Sequence, residues 1–141
     1  MEKGLTNSIN LGTILKTESD YAIFERRENY IYIRYKDFSR VDLAAAKMHA
    51  GIILDLCDGK KYPFILDGLN VQANFSHDAR EFISKYEPVA KIRSAQAIVV
   101  NNTTTRLLAN YYYKFHKPKN PIKIFSKFED AVDWVKQYES E

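Results

Sequence analysis

A single cysteine, Cys57, among 141 residues excludes an internal disulfide and a cysteine-rich metal centre. It sits beside Leu56 near the end of a predicted helix, the setting of a buried, unreactive thiol. Only five glycines are present, little material for a phosphate-cradling loop. Neither that loop, nor a dinucleotide fingerprint, nor Gly-x-Ser-x-Gly occurs. No apolar run approaches the roughly 18 residues of a membrane span. Met1-Glu2-Lys3-Gly4 leads into polar residues without the apolar stretch of a secretory signal, so the expected location is cytoplasmic. Acidic residues are missing from one long stretch: between Pro88 and Phe128 stand eight Lys or Arg and no Asp or Glu.

The residues that are present describe one α/β domain. Residues 1–19 show no sustained period and read as a loose arm or a short added strand, leaving 20–141 as the domain proper. Tyr21–Arg27 and Tyr30–Lys36 are aromatic and β-branched, separated by the polar turn Glu28-Asn29, and read as a hairpin. Asp42 can cap a helix carrying Val41, Ala45, Met48, Ile52 and Leu56 on one face, and Gly59 supplies the left-handed residue past its end. Tyr62–Leu66 is a short continuous apolar strand, covered on both faces, ending at Asp67-Gly68. A second helix begins near Ser76 with Ala79, Phe82, Ile83 and Tyr86 inward, and Pro88 kinks or restarts it. Ala95–Val100 is the next strand. Thr104, Leu108, Tyr111 and Phe115 then form a helical stripe ended by Lys117-Pro118, and Ile122–Phe125 is the last strand. Ser126-Lys127-Phe128-Glu129 has the spacing of a capping box before a helix with Phe128, Ala131, Val132, Val135 and Tyr138 inward. Trp134 is expected to be largely buried against the sheet. The order is ββαβαβαβα, a mixed five-stranded sheet with four helices, the strands after the hairpin being parallel.

Chemistry is sparse on this scaffold. His49, His77 and His116 lie on different elements without metal-ligand spacing, so no metal or cofactor is expected, and no residue is nominated as a catalyst. One polar constellation falls at the carboxyl ends of the parallel strands, where α/β sheets bind ligands. Asp67, Asn70 and Asn74 follow one strand; Asn101, Asn102, Thr103 and Arg106 follow the next. An anion could rest at the helix start there, although Asn and Thr are also ordinary loop and cap residues. Tyr111-Tyr112-Tyr113 spans about 200° of a helix, so Tyr112 or Tyr113 must pack under a neighbouring element or meet a partner. Lys114, Lys117, Lys119, Lys123 and Lys127 either dress a helix end and an edge strand or form a basic face for an acidic protein partner, an anionic ligand or a membrane surface. Nucleic acid is the least favoured partner, since the net charge is only +3. Self-association stays open.

The element order, with Phe64-Ile65-Leu66-Asp67 central, resembles the STAS fold of anti-sigma-factor antagonists. From about Tyr21 to Tyr138 the chain is similar to the uncharacterised STAS/SEC14-like family of Bacteroidetes, related to the antagonist SpoIIAA. The residues carrying the resemblance are Asp67, Ala79-Arg80-Glu81-Phe82, Ala95, Ala97-Ile98-Val99-Val100-Asn101, Arg106-Leu107-Leu108-Ala109-Asn110, Lys117-Pro118, Pro121, Phe125, Ala131 and Trp134. The resemblance implies a non-enzymatic regulatory or protein-interaction module. Its SEC14-like side implies the alternative of a small-ligand or lipid-binding module. In the antagonists a serine within Asp-Ser-Ser-Gly at the start of the second helix is phosphorylated. Ser76 falls at that position, while Phe75, His77 and Asp78 depart from the pattern, and a plain helix cap is the competing role for Ser76.

Overall fold

Six strands form the main sheet of the computed structural model, which describes residues 12–101 and 120–138. They are β1 (Thr13–Glu18), β2 (Ala22–Arg27), β3 (Ile31–Tyr35), β5 (Tyr62–Asp67), β7 (Arg93–Val99) and β8 (Ile122–Phe125), in the order β1-β2-β3-β5-β7-β8. β1, β2 and β3 pair antiparallel, and β3, β5, β7 and β8 pair parallel. The five-stranded expectation is therefore short by one: residues 13–18 join the sheet as an edge strand. They lack a readable period because nearly every one of them is exposed. Two further short strands, β4 (Arg40–Val41) and β6 (Asn74–Phe75), pair parallel beside the main sheet.

Four helices are described: α1 (Leu43–Cys57), α2 (His77–Lys85), α3 (Glu87–Ile92) and α4 (Phe128–Val135). The helix expected around Thr104–Phe115 lies outside the described residues; within them, the expected second helix is split in two at Pro88. Tyr86 sits at the break with extended dihedrals, and Pro88 occupies the first turn of α3, where its missing N–H costs nothing.

α1, α2 and α3 pack on one sheet face around Phe24, Ile31, Ile33 and Phe64; α4 packs on the other around Ile65, Ala97 and Val99. That two-sided cover explains why β5 reads as a continuous apolar run. Asp42 caps α1, its Oδ1 accepting the Ala45 N–H at 2.8 Å. At the far end both Asp58 (φ 50°) and Gly59 (φ 79°) are left-handed. Val41, Ala45 and Leu56 of the expected α1 stripe are buried and Ile52 packs against the core, but Met48 is 46% exposed while His49 is only 2% exposed. Tertiary contact to Tyr21, Phe24 and Tyr35 selects the imidazole over the thioether. Cys57 is fully buried, and burial pushes its thiol up to about 12, against the opposing charge of Arg26.

α4 departs from its expected start. Lys127, not Ser126, is the N-cap, and its side chain makes no capping bond. Glu129 and Asp130 in the first turn still favour the positive end of the helix dipole. Ala131 and Val135 are buried, whereas Trp134 is only partly buried, its ring between those of Phe125 and Tyr138.

Candidate functional site

Three loops meet beyond the carboxyl ends of β3, β5 and β7, and hydrogen bonds stitch them together. The Asp37 Oδ1 accepts the Gln72 N–H at 2.8 Å, and the Phe38 N–H donates to the Gln72 carbonyl. Asn70 and Asn101 bind reciprocally: the Asn70 N–H donates to Asn101 Oδ1 at 3.0 Å, and Asn101 Nδ2 donates to Asn70 Oδ1 at 2.9 Å. Asn70 has φ 58°, a left-handed conformation that Asn tolerates better than most residues. Between these loops is a polar hollow of about 320 Å³ lined by Asp37, Asn70, Val71, Gln72 and Asn101. Gly68 sets the approach, because a Cβ there would lie 3.0 Å from the Val99 carbonyl oxygen and 3.1 Å from a Val100 methyl.

Asp67 does not open into the hollow. Its Oδ2 accepts the Tyr32 hydroxyl at 2.5 Å, and its Oδ1 takes the Arg34 guanidinium at 3.1 Å and the Leu69 N–H at 3.2 Å. Burial and the bond to this carboxylate push the Tyr32 hydroxyl above its ordinary range. Arg34 also donates to the Leu69 carbonyl at 2.9 Å. The carboxylate is thus a tie between β3, β5 and the loop after β5, and a carboxylate so occupied has little capacity left for a ligand.

Asn74 lies in β6, away from the Asn70–Asn101 pair, and its N–H donates to the Ser39 carbonyl at 2.9 Å. Asn102, Thr103 and Arg106 lie outside the described residues, as do Tyr112, Tyr113, Lys114, Lys117 and Lys119. Lys123 is exposed on β8 with its ammonium 5.5 Å from the Phe125 ring centroid, and Lys127 is exposed at the α4 N-cap. Of the expected ligand constellation, the described residues bring Asn70 and Asn101 together and turn Asp67 inward.

Ser76 caps α2. Its Oγ accepts the Ala79 N–H at 3.2 Å and donates to Asp78 Oδ1 at 2.6 Å, and that bond holds the Asp78 carboxyl below its ordinary value. Ser76 is exposed, so a modifying enzyme could reach it, but a phosphate would meet the Asp78 carboxylate two residues on. Ser76→Ala is expected to lower stability by about 1 kcal/mol, the usual loss for a removed cap, and denaturant titration reads it directly.

Two features escape the sequence. Phe38 has φ 62° and is 73% exposed, a rare conformation for a bulky residue; Asp37-Phe38-Ser39 looks like an ordinary loop. Beneath α1–α3 an apolar cavity of about 80 Å³ is lined by Tyr35, His49, Phe64, Phe82, Val89 and Arg93, among others. His49 there lies 3.1 Å from Ser19 Oγ through Nε2 and 3.4 Å from the Tyr35 hydroxyl through Nδ1, and burial lowers its pKa to about 4. A helical-phase count one residue further along would have placed it inward.

Sheet order, two-sided helix cover and carboxyl-end loops define an α/β domain with a SpoIIAA-like fold. The same fold occurs in a crystal structure of an uncharacterised protein of the DUF3478 family from Shewanella loihica PV-4, at a TM-score of 0.58 and 16% identity, covering 89% of this chain and 98% of that one. The chain itself belongs to the family described as a domain of unknown function, DUF7793, which matches residues 24–139. No curated protein matches it in sequence. Among the described residues no helix is long and apolar enough to cross a membrane, and no cluster of His, Cys, Asp or Glu could hold a metal ion.

Proposed function

We propose that the domain is a non-enzymatic protein-interaction module that presents its carboxyl-end loops to a partner, with Phe38 as the anchor. The observation that carries this reading is the exposed, left-handed Phe38, held on a loop that Asp37 and Gln72 fix from two sides. A large ring in water with a costly backbone gains nothing for the free domain; buried in a partner it supplies the aromatic contact that dominates interfaces. Asp67 supports the same reading by serving the scaffold and not the hollow. A small-ligand or lipid role has less support. The apolar cavity of about 80 Å³ falls well below the roughly 300–1,000 Å³ of ordinary ligand pockets, and the hollow between the loops is lined with polar groups.

Phe38→Gly separates function from stability. Glycine adopts φ > 0 freely and the ring buries little, so stability is expected to rise by about 1 kcal/mol. Partner capture from cells of the source organism, compared between wild type and this variant, should fall sharply. A partner retained in full by Phe38→Gly would sink the reading.

A further inference from the structure

We propose that β1 pairs with β1 of a second copy of this chain about a two-fold axis at Thr17, joining two domains into one continuous sheet. Backbone parity decides which residues are available. On β2, the Tyr21 carbonyl accepts the Lys36 N–H at 2.8 Å and the Arg27 N–H donates to Tyr30 at 2.9 Å. The odd-numbered residues of β2 therefore serve β3, and its even-numbered residues serve β1. The Ser19 N–H accordingly donates to Ala22 at 2.9 Å, and Thr17, opposite Phe24, also bonds inward. Lys16 and Glu18 are left with N–H and C=O groups facing away from the sheet, where no described strand pairs with them.

An antiparallel neighbour must set outward residues against outward residues. Two registers near the strand centre satisfy this: Lys16 opposite Lys16 of the second copy, or Lys16 opposite its Glu18. The first juxtaposes like charges, which is destabilising; the second makes two Lys–Glu pairs and a Thr17–Thr17 β-branched pair. A lysine on an edge strand normally discourages pairing. Here the next outward residue has the opposite charge, so the guard becomes a complement. Glu18 already holds Lys36 at 2.7 Å on the same side, which fixes its carboxylate.

Apolar surface lies along the same edge. Ile14 is 54% and Leu15 47% exposed. Leu15 is paired with Arg26, whose guanidinium reaches the Leu56 carbonyl of α1 at 3.1 Å, so Leu15 lies on the α1 face of the sheet, the face that also carries the exposed Met48. Main-chain pairing flanked by apolar contact is the way exposed sheet edges take a partner strand. The occupant is a second copy because the charge pattern of β1 is complementary to itself.

Light scattering across a concentration series tests this with wild type, Lys16→Glu, Glu18→Lys and an equimolar mixture of the two variants. Wild type should dimerise as concentration rises. Each variant alone faces two like-charge pairs and should dimerise roughly tenfold more weakly, with an unchanged circular dichroism spectrum. The mixture restores both Lys–Glu pairs and should form the heterodimer at wild-type strength. A wild type that stays monomeric at high micromolar concentration, a variant that dimerises alone as well as wild type, or a mixture that stays monomeric would each overturn the proposal.

Discussion

Acidification from pH 7 should destabilise the domain before most of its carboxylates titrate, because His49 is buried in neutral form. In the native state its pKa is about 4, whereas an unfolded histidine titrates near 6.5. The contribution is complete above pH 6.5. Below that the unfolded chain takes up a proton that the native state refuses, and stability falls until the native imidazole also protonates near pH 4. The expected loss across this window is on the order of 3 kcal/mol. Among the described residues no carboxylate compensates: Tyr21, Phe24 and Tyr35 surround the ring, with the Ser19 hydroxyl at one nitrogen. Denaturant titrations at a series of pH values would show the slope, and His49→Gln should flatten it between pH 4 and pH 6.5. An unchanged slope in that variant would assign the acid sensitivity to another group.

The second large effect is expected at Asp67. Asp67→Ala strips the partner from a buried hydroxyl and from a guanidinium and frees the Leu69 N–H that shapes the loop after β5. Arg34 is part-exposed and water can reach it, which moderates the cost; about 2–3 kcal/mol is expected. Tyr32→Phe removes one donor and leaves the carboxylate with Arg34 and Leu69, so about 1 kcal/mol should be lost. Chemical denaturation of both variants checks the ratio. Equal losses would mean that the hydroxyl, not the charge pair, holds the strands.

Elements buried on a regular period were legible from residue types alone. The β2–β3 hairpin, the apolar strands β5 and β7, and the α2 stripe at Ala79, Phe82 and Ile83 all follow from alternation or helical spacing against a core. β1 is not, because an edge strand open to water on most of its residues has no hydrophobic signature. β4 and β6 are too short to carry any period. On α1 one position of the stripe differs, since hydropathy favours Met48 while the surrounding rings accept His49. The candidate site divides similarly. Strand order alone places Asp67, Asn70 and Asn101 at one end of the sheet, and Asn70 and Asn101 do meet. The inward turn of Asp67 depends on Tyr32 and Arg34, which lie more than thirty residues away, and the left-handed backbone of Phe38 leaves no trace in the side-chain sequence.

The helices that follow β3, β5 and β8 all begin at the same end of the sheet, so α1, α2 and α4 carry their peptide dipoles in one direction. Parallel dipoles reinforce one another, and the molecule acquires a lengthwise electrical polarity independent of where its lysines fall. Asp42 and Asp78 near the starts of α1 and α2, and Glu129 and Asp130 in the first turn of α4, set negative charge against the three positive helix ends. Among the described residues, these carboxylates oppose the helix dipoles at the end that displays Phe38. A partner of the kind proposed would gain there by shape and apolar contact with Phe38, which salt does not screen.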